Sequence, residues 1–524
     1  MRFFQACVLV LFVLIPQTVH AEWLEASSNH FVVYGNTSES NLRKFSDQLE
    51  RYDAAMGKIT STSNPPPSPS NRVTVYLVDN EEAVRKLIGG GKAARFVGGF
   101  YIPRAGGSLA VIPRVQSGGG NDGGMGWSMI VLLHEYAHHF LISNSAFPYP
   151  RWMGEGAAEF FASANFEKDG SVGLGRPAVH RANELALAAD VTATDLLDPE
   201  HYEKRRGKST AYDAYYGKSW LLYHYLTFSA ERKGQLSAYS RALLSGKSMV
   251  EAGHAAFGDF AQLEKELDSY LRKPRMSYLK LAGTALDPGT VTIRVLREGE
   301  AAIMPVRIRS KVGVNKETAP GVLADARAVA AKYPEDPAVL AALAEAEYDA
   351  GNDAEAIVAA DGAIGRDPGQ VNAYLQKGYA LFRIAGKGEG DAVAAWRAAR
   401  APFLALNAIE NDHPLPLLYF YLSYRRQGRE PTENAVMGLE RASELSPFDL
   451  GLRMTVAMQE LHDGRTEAAR FFLVPVAYNP HGGPLAGAAR KVLDRIASDP
   501  AWRGDGTVID PATKDDEEGG EEGG

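Results

Sequence analysis

Cysteine is almost absent from this chain, and the chain also has no excess of basic residues. The single cysteine, Cys7, lies among the first 21 residues, so the remaining sequence has none. That remainder cannot form a disulfide, a thiolate metal site or a cysteine nucleophile. Lys and Arg total 56 against 64 Asp and Glu, a net charge of −8. No basic face therefore indicates nucleic-acid binding.

An apolar run long enough to span a membrane is also missing. The opening segment "MRFFQACVLVLFVLIPQTVHA" has one Arg, an apolar run of roughly a dozen residues and a small residue, Ala21, at its end. A bilayer span needs about 20 residues. Residues 1–21 therefore predict a cleaved export signal, with an uncleaved anchor as the alternative. We expect an exported protein, periplasmic or secreted, without a stable membrane span.

The chain is long enough for several folded units. It has 524 residues, of which 45% are hydrophobic, and this predicts two or more domains. We expect an α+β domain at residues 22–275 and a β-rich connector at 276–315. An all-α repeat region should follow at 316–500, and an acidic disordered tail at 501–524. The last 15 residues contain seven acidic residues and one basic residue, Lys514. This composition is typical of solvated, disordered ends.

Short strands are predicted in the first of these units. "HFVVYG" and "RVTVYLVD" have the composition and alternation of strands, and the segment "SESNLRKFSDQLERYDAAMGKI" between them predicts a helix. "GGFYIPRAGGSLAVIPR" predicts two strands joined at residues 105–108, where Gly106 and Gly107 supply turn freedom.

The repeat region shows a regular spacing of proline and glycine. Pro334 and Pro368 are 34 residues apart, Gly351 follows Pro334 by 17 residues, and Gly464 follows Pro447 by 17. This spacing resembles the tetratricopeptide repeat, in which stacked helix pairs form a protein-binding surface. The insertion "GKGEGD" and the stretch 401–430 depart from the pattern. We expect three or four degenerate repeats, with ordinary helical hairpins as the alternative.

The stretch "VLLHEYAHHFLI" contains an HExxH pattern at His134, Glu135 and His138. Residues four apart on a helix point the same way, so the two histidines can share one metal ion. Glu135 lies on the adjoining flank, close enough to act on a water without being a ligand. Apolar residues on the other faces can anchor the helix in a core: Ile130, Leu133, Ala137 and Leu141. The alternative is an accidental match.

Two glutamates downstream can complete such a site. Catalytic zinc usually has three protein ligands and one open position. In "YPRWMGEGAAEFFASA", Glu155 and Glu159 are four residues apart on a predicted helix. Glu155 is the expected third ligand, and Glu159 can accept a hydrogen bond from the outer ring nitrogen of His134. An exposed acidic face is the alternative, but the apolar neighbours argue for burial: Trp152, Met153, Phe160 and Phe161.

These motifs resemble the gluzincin metallopeptidases, in which HExxH is followed by a glutamate ligand on a later helix. "WMGEGAAEFF" is similar to the "WLNEGFA" segment of the aminopeptidase branch, and the resemblance implies zinc bound by His134, His138 and Glu155, with Glu135 as general base. The "HExxHxxGxxH" group is excluded, because Leu141 stands where its glycine should be. The similarity is closest to the bacterial peptidase MA-like proteins and covers about residues 22–275.

A tyrosine completes the resemblance. Tyr216, followed by "GKSWLLYHYL", is similar to the tyrosine that stabilises the oxyanion in the aminopeptidase branch. Tyr212 or Tyr215 can serve instead, and a packing role for Tyr216 is the further alternative.

Other features of the sequence carry less weight. The segment "IGGGKAA" around Lys92 lacks the phosphate-loop pattern. Among the other histidines, His139 is expected outside the ligand set, and His180 and His224 are expected in packing or at the surface.

One departure concerns the substrate. The exopeptidases of that branch have a "GxMEN" segment whose glutamate holds a free amine, whereas "GSLAVIPR" has no acid. We therefore expect an endopeptidase-like cleft in which an edge strand at Leu109 to Ile112 pairs with an extended peptide. The expected function is an exported zinc-dependent peptidase whose repeats bind a protein partner. The alternative is an inactive scaffold whose repeats act as a protein-interaction module.

Overall fold

The computed structural model describes residues 22–89, 97–114, 125–144, 149–207, 209, 211–479 and 482–504. The predicted signal, residues 1–21, and residues 505–524 of the predicted tail lie outside the described residues, as does Lys92. None of the described helices has both the length and the apolar character needed to cross a membrane.

The N-terminal unit is built on a six-stranded mixed sheet with the strand order β4-β5-β3-β2-β1-β9. Its strands are β1 (Trp23–Ser27), β2 (Phe31–Asn36), β3 (Val73–Val78), β4 (Phe100–Ile102), β5 (Leu109–Pro113) and β9 (Thr292–Val295). β3 pairs in parallel with β2 and β5, and the other pairs are antiparallel. A second, antiparallel sheet contains β6 (Asn165–Phe166), β7 (Val172–Leu174) and β8 (Leu279–Leu281).

The position of the edge strand differs from the prediction. β5 contains Leu109 to Ile112 and pairs on both sides, with β3 and with β4. The predicted edge at Leu109 to Ile112 is therefore wrong, and β4 is the outer strand. Gly106 and Gly107 have φ values of +73° and +136°, so the chain turns as predicted and folds β4 back onto the free side of β5.

Most helices of this unit pack on one face of the main sheet and form the core, whereas α2 (Glu81–Leu87) packs on the other face through Val84. The helices of the core are α1 (Glu39–Thr60), α3 (Trp127–Asn144), α4 (Arg151–Ala162), α5 (Ala182–Leu187), α6 (Ala193–Leu197), α7 (Pro199–Arg206), α8 (Tyr215–Phe228), α9 (Gln235–Leu244), α10 (Met249–Phe257) and α11 (Phe260–Leu271). One apolar core joins the sheet to these helices through Phe31, Leu49, Leu133, Trp152 and Leu221. Truncating a buried aromatic side chain to alanine lowers the free energy of unfolding by about 3–5 kcal/mol. The core therefore holds α3 and α4 firmly in place.

The segment at residues 276–315 is integrated into the N-terminal unit. β8 joins the second sheet, and β9 lies at the far edge of the main sheet. The β-rich description applies up to residue 295, but the next element is the helix α12 (Glu298–Val312). Met304 and Ile308 of α12 pack on Tyr34 and Tyr76, on the face of the sheet opposite to the main core. This apolar contact, which the sequence pattern does not reveal, covers that face.

The C-terminal region is all helical. It contains α13 (Ala319–Lys332), α14 (Pro337–Asp349), α15 (Asp353–Arg366), α16 (Val371–Gly386), α17 (Ala392–Ile409), α18 (Pro414–Arg425), α19 (Glu433–Leu445), α20 (Leu450–His462), α21 (Thr466–Ala477) and α22 (Gly483–Ser498). In residues 337–477, all of which are described, α14 to α21 form four successive antiparallel pairs. Each helix also packs on the next, as in a solenoid of tetratricopeptide-like repeats.

The repeat pattern is visible at particular glycines. Gly351 and Gly464 have φ values of +88° and +79° directly after α14 and α20, as the predicted turns require. Gly378 lies so close to Phe403 that a Cβ would approach its ring to 2.4 Å. The stretch 401–430 is more regular than its sequence indicates, because α17 continues through Pro402 and α18 follows after four residues.

Candidate metal centre

The helix α3 carries the HExxH pattern on a buried support. Leu133 and Ala137 are fully buried and Leu141 nearly so, whereas Ile130 is half-buried. The Tyr52 hydroxyl of α1 donates to the Leu133 carbonyl oxygen at 3.0 Å. These contacts fix α3 on the core, so the direction in which its histidines point is set by the fold.

The helix α4 is buried along almost its whole length. Glu155 and Glu159 are 0% and 1% exposed, so the alternative of an exposed acidic face is wrong. Gly156 packs against α8 so closely that a Cβ would lie 2.4 Å from the Ser219 carbonyl oxygen. The close approach of α8 on one side and α3 on the other explains why both carboxylates lie in the interior.

His134, His138 and Glu155 converge as predicted. The Nε2 atoms of the two histidines are 3.2 Å apart. The Oε2 atom of Glu155 lies 3.2 Å from the first nitrogen and 3.4 Å from the second. Among the described residues, these three form the group of metal-ligating side chains close enough to hold one ion. Whether they bind a metal ion remains a prediction.

The triangle of these three atoms fits a tetrahedral zinc ion. Zinc lies about 2.0–2.1 Å from a histidine nitrogen and about as far from a carboxylate oxygen. The edges of such a tetrahedron are about 3.3–3.4 Å long, a length that follows from those bond distances. The three observed separations nearly match this edge length. Two imidazoles and one carboxylate are also a catalytic zinc donor set, with a fourth position left for water or substrate.

Glu159 lies beside the outer nitrogen of His134, and the hydrogen bond between them stays a prediction. Its Oε1 atom lies 3.1 Å from His134 Nδ1. The same oxygen accepts from Arg181 Nε at 3.0 Å and from Arg181 Nη2 at 2.6 Å, and Oε2 lies 2.5 Å from His180 Nε2. A carboxylate at this position fixes the tautomer of a ligating imidazole and increases its basicity.

Sequence reasoning missed the partners of Glu159. His180 was expected in packing or at the surface, and Arg181 was not singled out. They lie 21 and 22 residues beyond Glu159 in the chain, after β6 and β7. No spacing rule connects residues across such a loop. The only sequence signal is the pair of adjacent basic side chains, which is common on protein surfaces.

The charges around His134 favour a cation. Burial lowers the pKa of His134, but Glu155 and Glu159 outweigh burial and raise it to about 10. Burial raises the pKa of Glu159, but Arg181 and His134 outweigh burial and hold it well below its usual range. The carboxylates therefore stabilise a positive charge between the imidazoles, which a proton or a metal ion can supply.

Tyr216 is the tyrosine best placed beside the ligands. Its ring centroid is 6.3 Å from that of His134, and the Arg181 guanidinium lies 4.8 Å from its ring centre. Tyr215 instead packs under Arg151 at 4.4 Å, and the Tyr212 hydroxyl donates to Glu184 at 2.7 Å. The geometry thus favours Tyr216 over the two alternatives.

Glu184 of α5 links the start of α8, which carries Tyr216, to the network around the candidate ligands. Glu184 accepts from the Gly217 backbone N–H at 2.6 Å and from Arg181 Nη1 at 3.1 Å. Because Arg181 also binds Glu159, the helix that carries Tyr216 is tied to the helix that carries Glu155. The relative position of phenol and ligands is therefore set by buried ion pairs.

Glu135 is half-buried on α3. Burial raises the pKa of Tyr101 on β4, and the charge of the Glu135 carboxylate raises it further. The Tyr101 hydroxyl lies 2.7 Å from His139 Nδ1, and burial lowers the pKa of His139 to about 3. His139 thus faces the sheet and lies outside the ligand set, as expected. His224 is packed in the core, where its ring nitrogens contact Tyr270 and Gly175.

Comparisons with known proteins leave the chain without an assigned family. No family model matches it, and no curated protein matches it. Solved structures similar to part of the chain include "Crystal structure of MamA", at 17% identity and a TM-score of 0.27 over 35% of this chain and 96% of that one. "MamA RS-1 ArsTM double mutant" shows 14% identity and the same TM-score, over 38% and 99% of the two chains. Similarity at this level carries no argument about function.

Proposed function

We propose that this protein is an exported zinc-dependent metallopeptidase of the gluzincin type, similar to the bacterial peptidase MA-like proteins. The observation that carries the proposal is the triangle of His134 Nε2, His138 Nε2 and Glu155 Oε2, with sides of 3.2, 3.2 and 3.4 Å. Burial of the three side chains supports it, because a rigid and partly dry site is what metal-assisted hydrolysis requires.

Each nearby side chain has a role in peptide hydrolysis. When bound, zinc would lower the pKa of a water molecule to near neutrality and polarise the scissile carbonyl group. Glu135 accepts a proton from the attacking water and passes it to the amine that leaves when the C–N bond breaks. The Tyr216 phenol donates a hydrogen bond to the oxygen on which negative charge develops. Glu159 holds His134 in the tautomer whose Nε2 faces the ligand triangle.

The edge strand supports an endopeptidase-like cleft. β4 (Phe100–Ile102) is the outer strand of the sheet that the described residues form, and it lies next to α3, so its outer edge can pair with an extended peptide. Neither β4 nor β5 contains an acidic residue. A free amino terminus of the substrate therefore has no carboxylate on these strands to pair with. Internal peptide bonds are the substrate class that this arrangement favours.

Elemental analysis and a hydrolysis assay with three variants test the proposal. Purified residues 22–524 should contain about one zinc per chain, and Glu155→Ala and His138→Ala should each lose it. Glu135→Gln should keep zinc and lose hydrolysis of fluorescein-labelled casein, since it retains the size of the side chain but not the base. Glu39→Gln, at an exposed position on α1, is the matched control and should remain active.

The outcomes separate the enzyme from the scaffold. A chain that binds no zinc even when zinc is added contradicts the metal site. A fully active Glu135→Gln variant contradicts the general-base role. Stoichiometric zinc without hydrolysis of casein or of peptide mixtures favours the inactive scaffold, with the repeats as a protein-interaction module.

A further inference from the structure

The repeat region holds the turn between β4 and β5. The Ala105 backbone N–H donates to Asp449 Oδ2 at 2.8 Å, and Ala105 is buried in the same apolar cluster as Phe403 and Leu418. At Gly106, an added Cβ would lie 2.6 Å from Leu415 Cδ1. The turn therefore fits against α18 and α20 without space for a larger residue.

Asn71 joins the turn to the end of α19. Its Oδ1 atom accepts from the Gly106 N–H at 3.2 Å and from the Ser446 hydroxyl at 3.1 Å, and its Nδ2 donates to the Leu445 carbonyl oxygen. Next to it, Ser70 donates to Glu410 through both its N–H and its hydroxyl, at 2.9 and 2.8 Å. Polar contacts of this number fix the turn in one orientation relative to the repeats.

The same part of the repeat region contacts the ligand helix. The Phe448 ring centroid is 4.2 Å from that of His139, the residue after the ligand His138. Arg453 is 5% exposed, and its guanidinium donates to the Ile142 carbonyl oxygen in the last turn of α3 at 3.4 Å. A cation is favourable there because carbonyl groups at the helix C-terminus carry partial negative charge. Residues 445–453, which we term the clamp, thus contact both α3 and the turn that carries β4.

We propose that the clamp positions the substrate-binding strand β4 relative to the ligand helix α3, with Asp449 as a positioning residue. The inference rests on the proposed function, because β4 binds substrate only if this protein is a peptidase. β4 has three residues and, within the described residues, pairs on one side only, and its turn contains two glycines with positive φ. A strand this short beside a glycine turn has little rigidity of its own, and the clamp supplies it.

An isosteric substitution isolates this contact. Asp449 Oδ1 accepts from the Leu452 N–H at 2.8 Å and so caps α20, while Oδ2 accepts from Ala105. In Asp449→Asn the amide oxygen can keep the helix cap, but the amide nitrogen then faces the Ala105 N–H, and two donors cannot bond. Asp391 caps α17 through Val393 and Ala394, so Asp391→Asn is the matched control within the repeat region.

Hydrogen exchange and steady-state kinetics on the full zinc-loaded chain test the proposal. In Asp449→Asn, amides of residues 97–114 should exchange about tenfold or more faster, the loss expected for a bond to a charged acceptor. With an internally quenched peptide that the wild type cleaves, KM should rise about tenfold while kcat and zinc content stay the same. Asp391→Asn should change neither.

A second variant, Asn71→Asp, provides an independent test of the positioning role of the clamp. Asn71→Asp removes the donor that faces the Leu445 carbonyl oxygen and should reproduce both effects. Unchanged exchange and KM in both variants would overturn the proposal. Loss of zinc and of helical circular dichroism in both would also overturn it, because the contact would then serve general stability. If the wild type cleaves no peptide, the proposed function fails, yet the exchange comparison still decides whether the clamp orders β4.

Discussion

Replacing Glu159 by glutamine tests how much the proposed metal centre depends on the carboxylate that lies beside His134 Nδ1. The substitution keeps the shape of the side chain but removes a charge that contacts His134 at 3.1 Å and Arg181 at 2.6 Å. Loss of such an outer contact usually lowers metal affinity about 10- to 100-fold, which corresponds to about 1.4–2.7 kcal/mol. We expect the zinc Kd of Glu159→Gln to rise within this range.

The same substitution should also lower the stability of the metal-free protein. Removing one partner of a buried ion pair costs about 3–5 kcal/mol. Arg181 keeps a second carboxylate, Glu184, at 3.1 Å, and the glutamine oxygen can still accept a hydrogen bond. The free energy of unfolding should therefore fall by about 3 kcal/mol, at the lower end of this range.

Competition titration with a chromophoric zinc chelator and urea unfolding after chelation measure the two effects. Glu167→Gln is the matched control, because Glu167 pairs with Lys280 at 2.6 Å on the surface, where such pairs contribute about 0–1 kcal/mol. A zinc Kd within twofold of the wild type, or a stability loss equal to that of the control, would refute the role assigned to Glu159.

Two further predictions concern the phenol and a buried histidine. Tyr216→Phe should lower kcat by about 10²- to 10³-fold without changing zinc content, and a fully active variant would assign the oxyanion to another donor. Burial lowers the pKa of His30, but Glu50 and Asp53 outweigh burial and raise it above 6.5. Its stabilising contribution should therefore be complete below pH 6.5 and be lost as the pH rises through the folded-state value. Tm measured across this range should fall with pH in the wild type and less so in His30→Gln, and parallel curves would contradict the assignment.

Patterns within one element were predictable from the sequence. Helical periodicity is set by local backbone geometry, so residues four apart on α3 and on α4 must share a face. His134 and His138 therefore point together, as do Glu155 and Glu159. The apolar neighbours of Glu155 correctly indicated its burial. Gly106, Gly351 and Gly464 marked turns because glycine adopts positive φ without steric cost.

Pairings between distant segments were not predictable. The edge strand was misplaced because strand order depends on where the hairpin of β4 and β5 docks, and β-rich composition says nothing about this. The helix α12 was missed for a related reason, since its amphipathic face is recognisable only against the sheet surface that it covers.

The sequence by itself determined the identity and spacing of the candidate ligands and the position of the turns, because these depend on residue type and on local backbone geometry. Only the tertiary structure decided which strand forms the edge of the sheet, that His180 and Arg181 contact Glu159, and that the repeats contact the helix of the candidate site. Asn71 and Ser446 are 375 residues apart, and Ala105 and Asp449 are 344 apart. Contacts over such separations form only when both regions have folded and bury their facing surfaces together, so no local pattern encodes them.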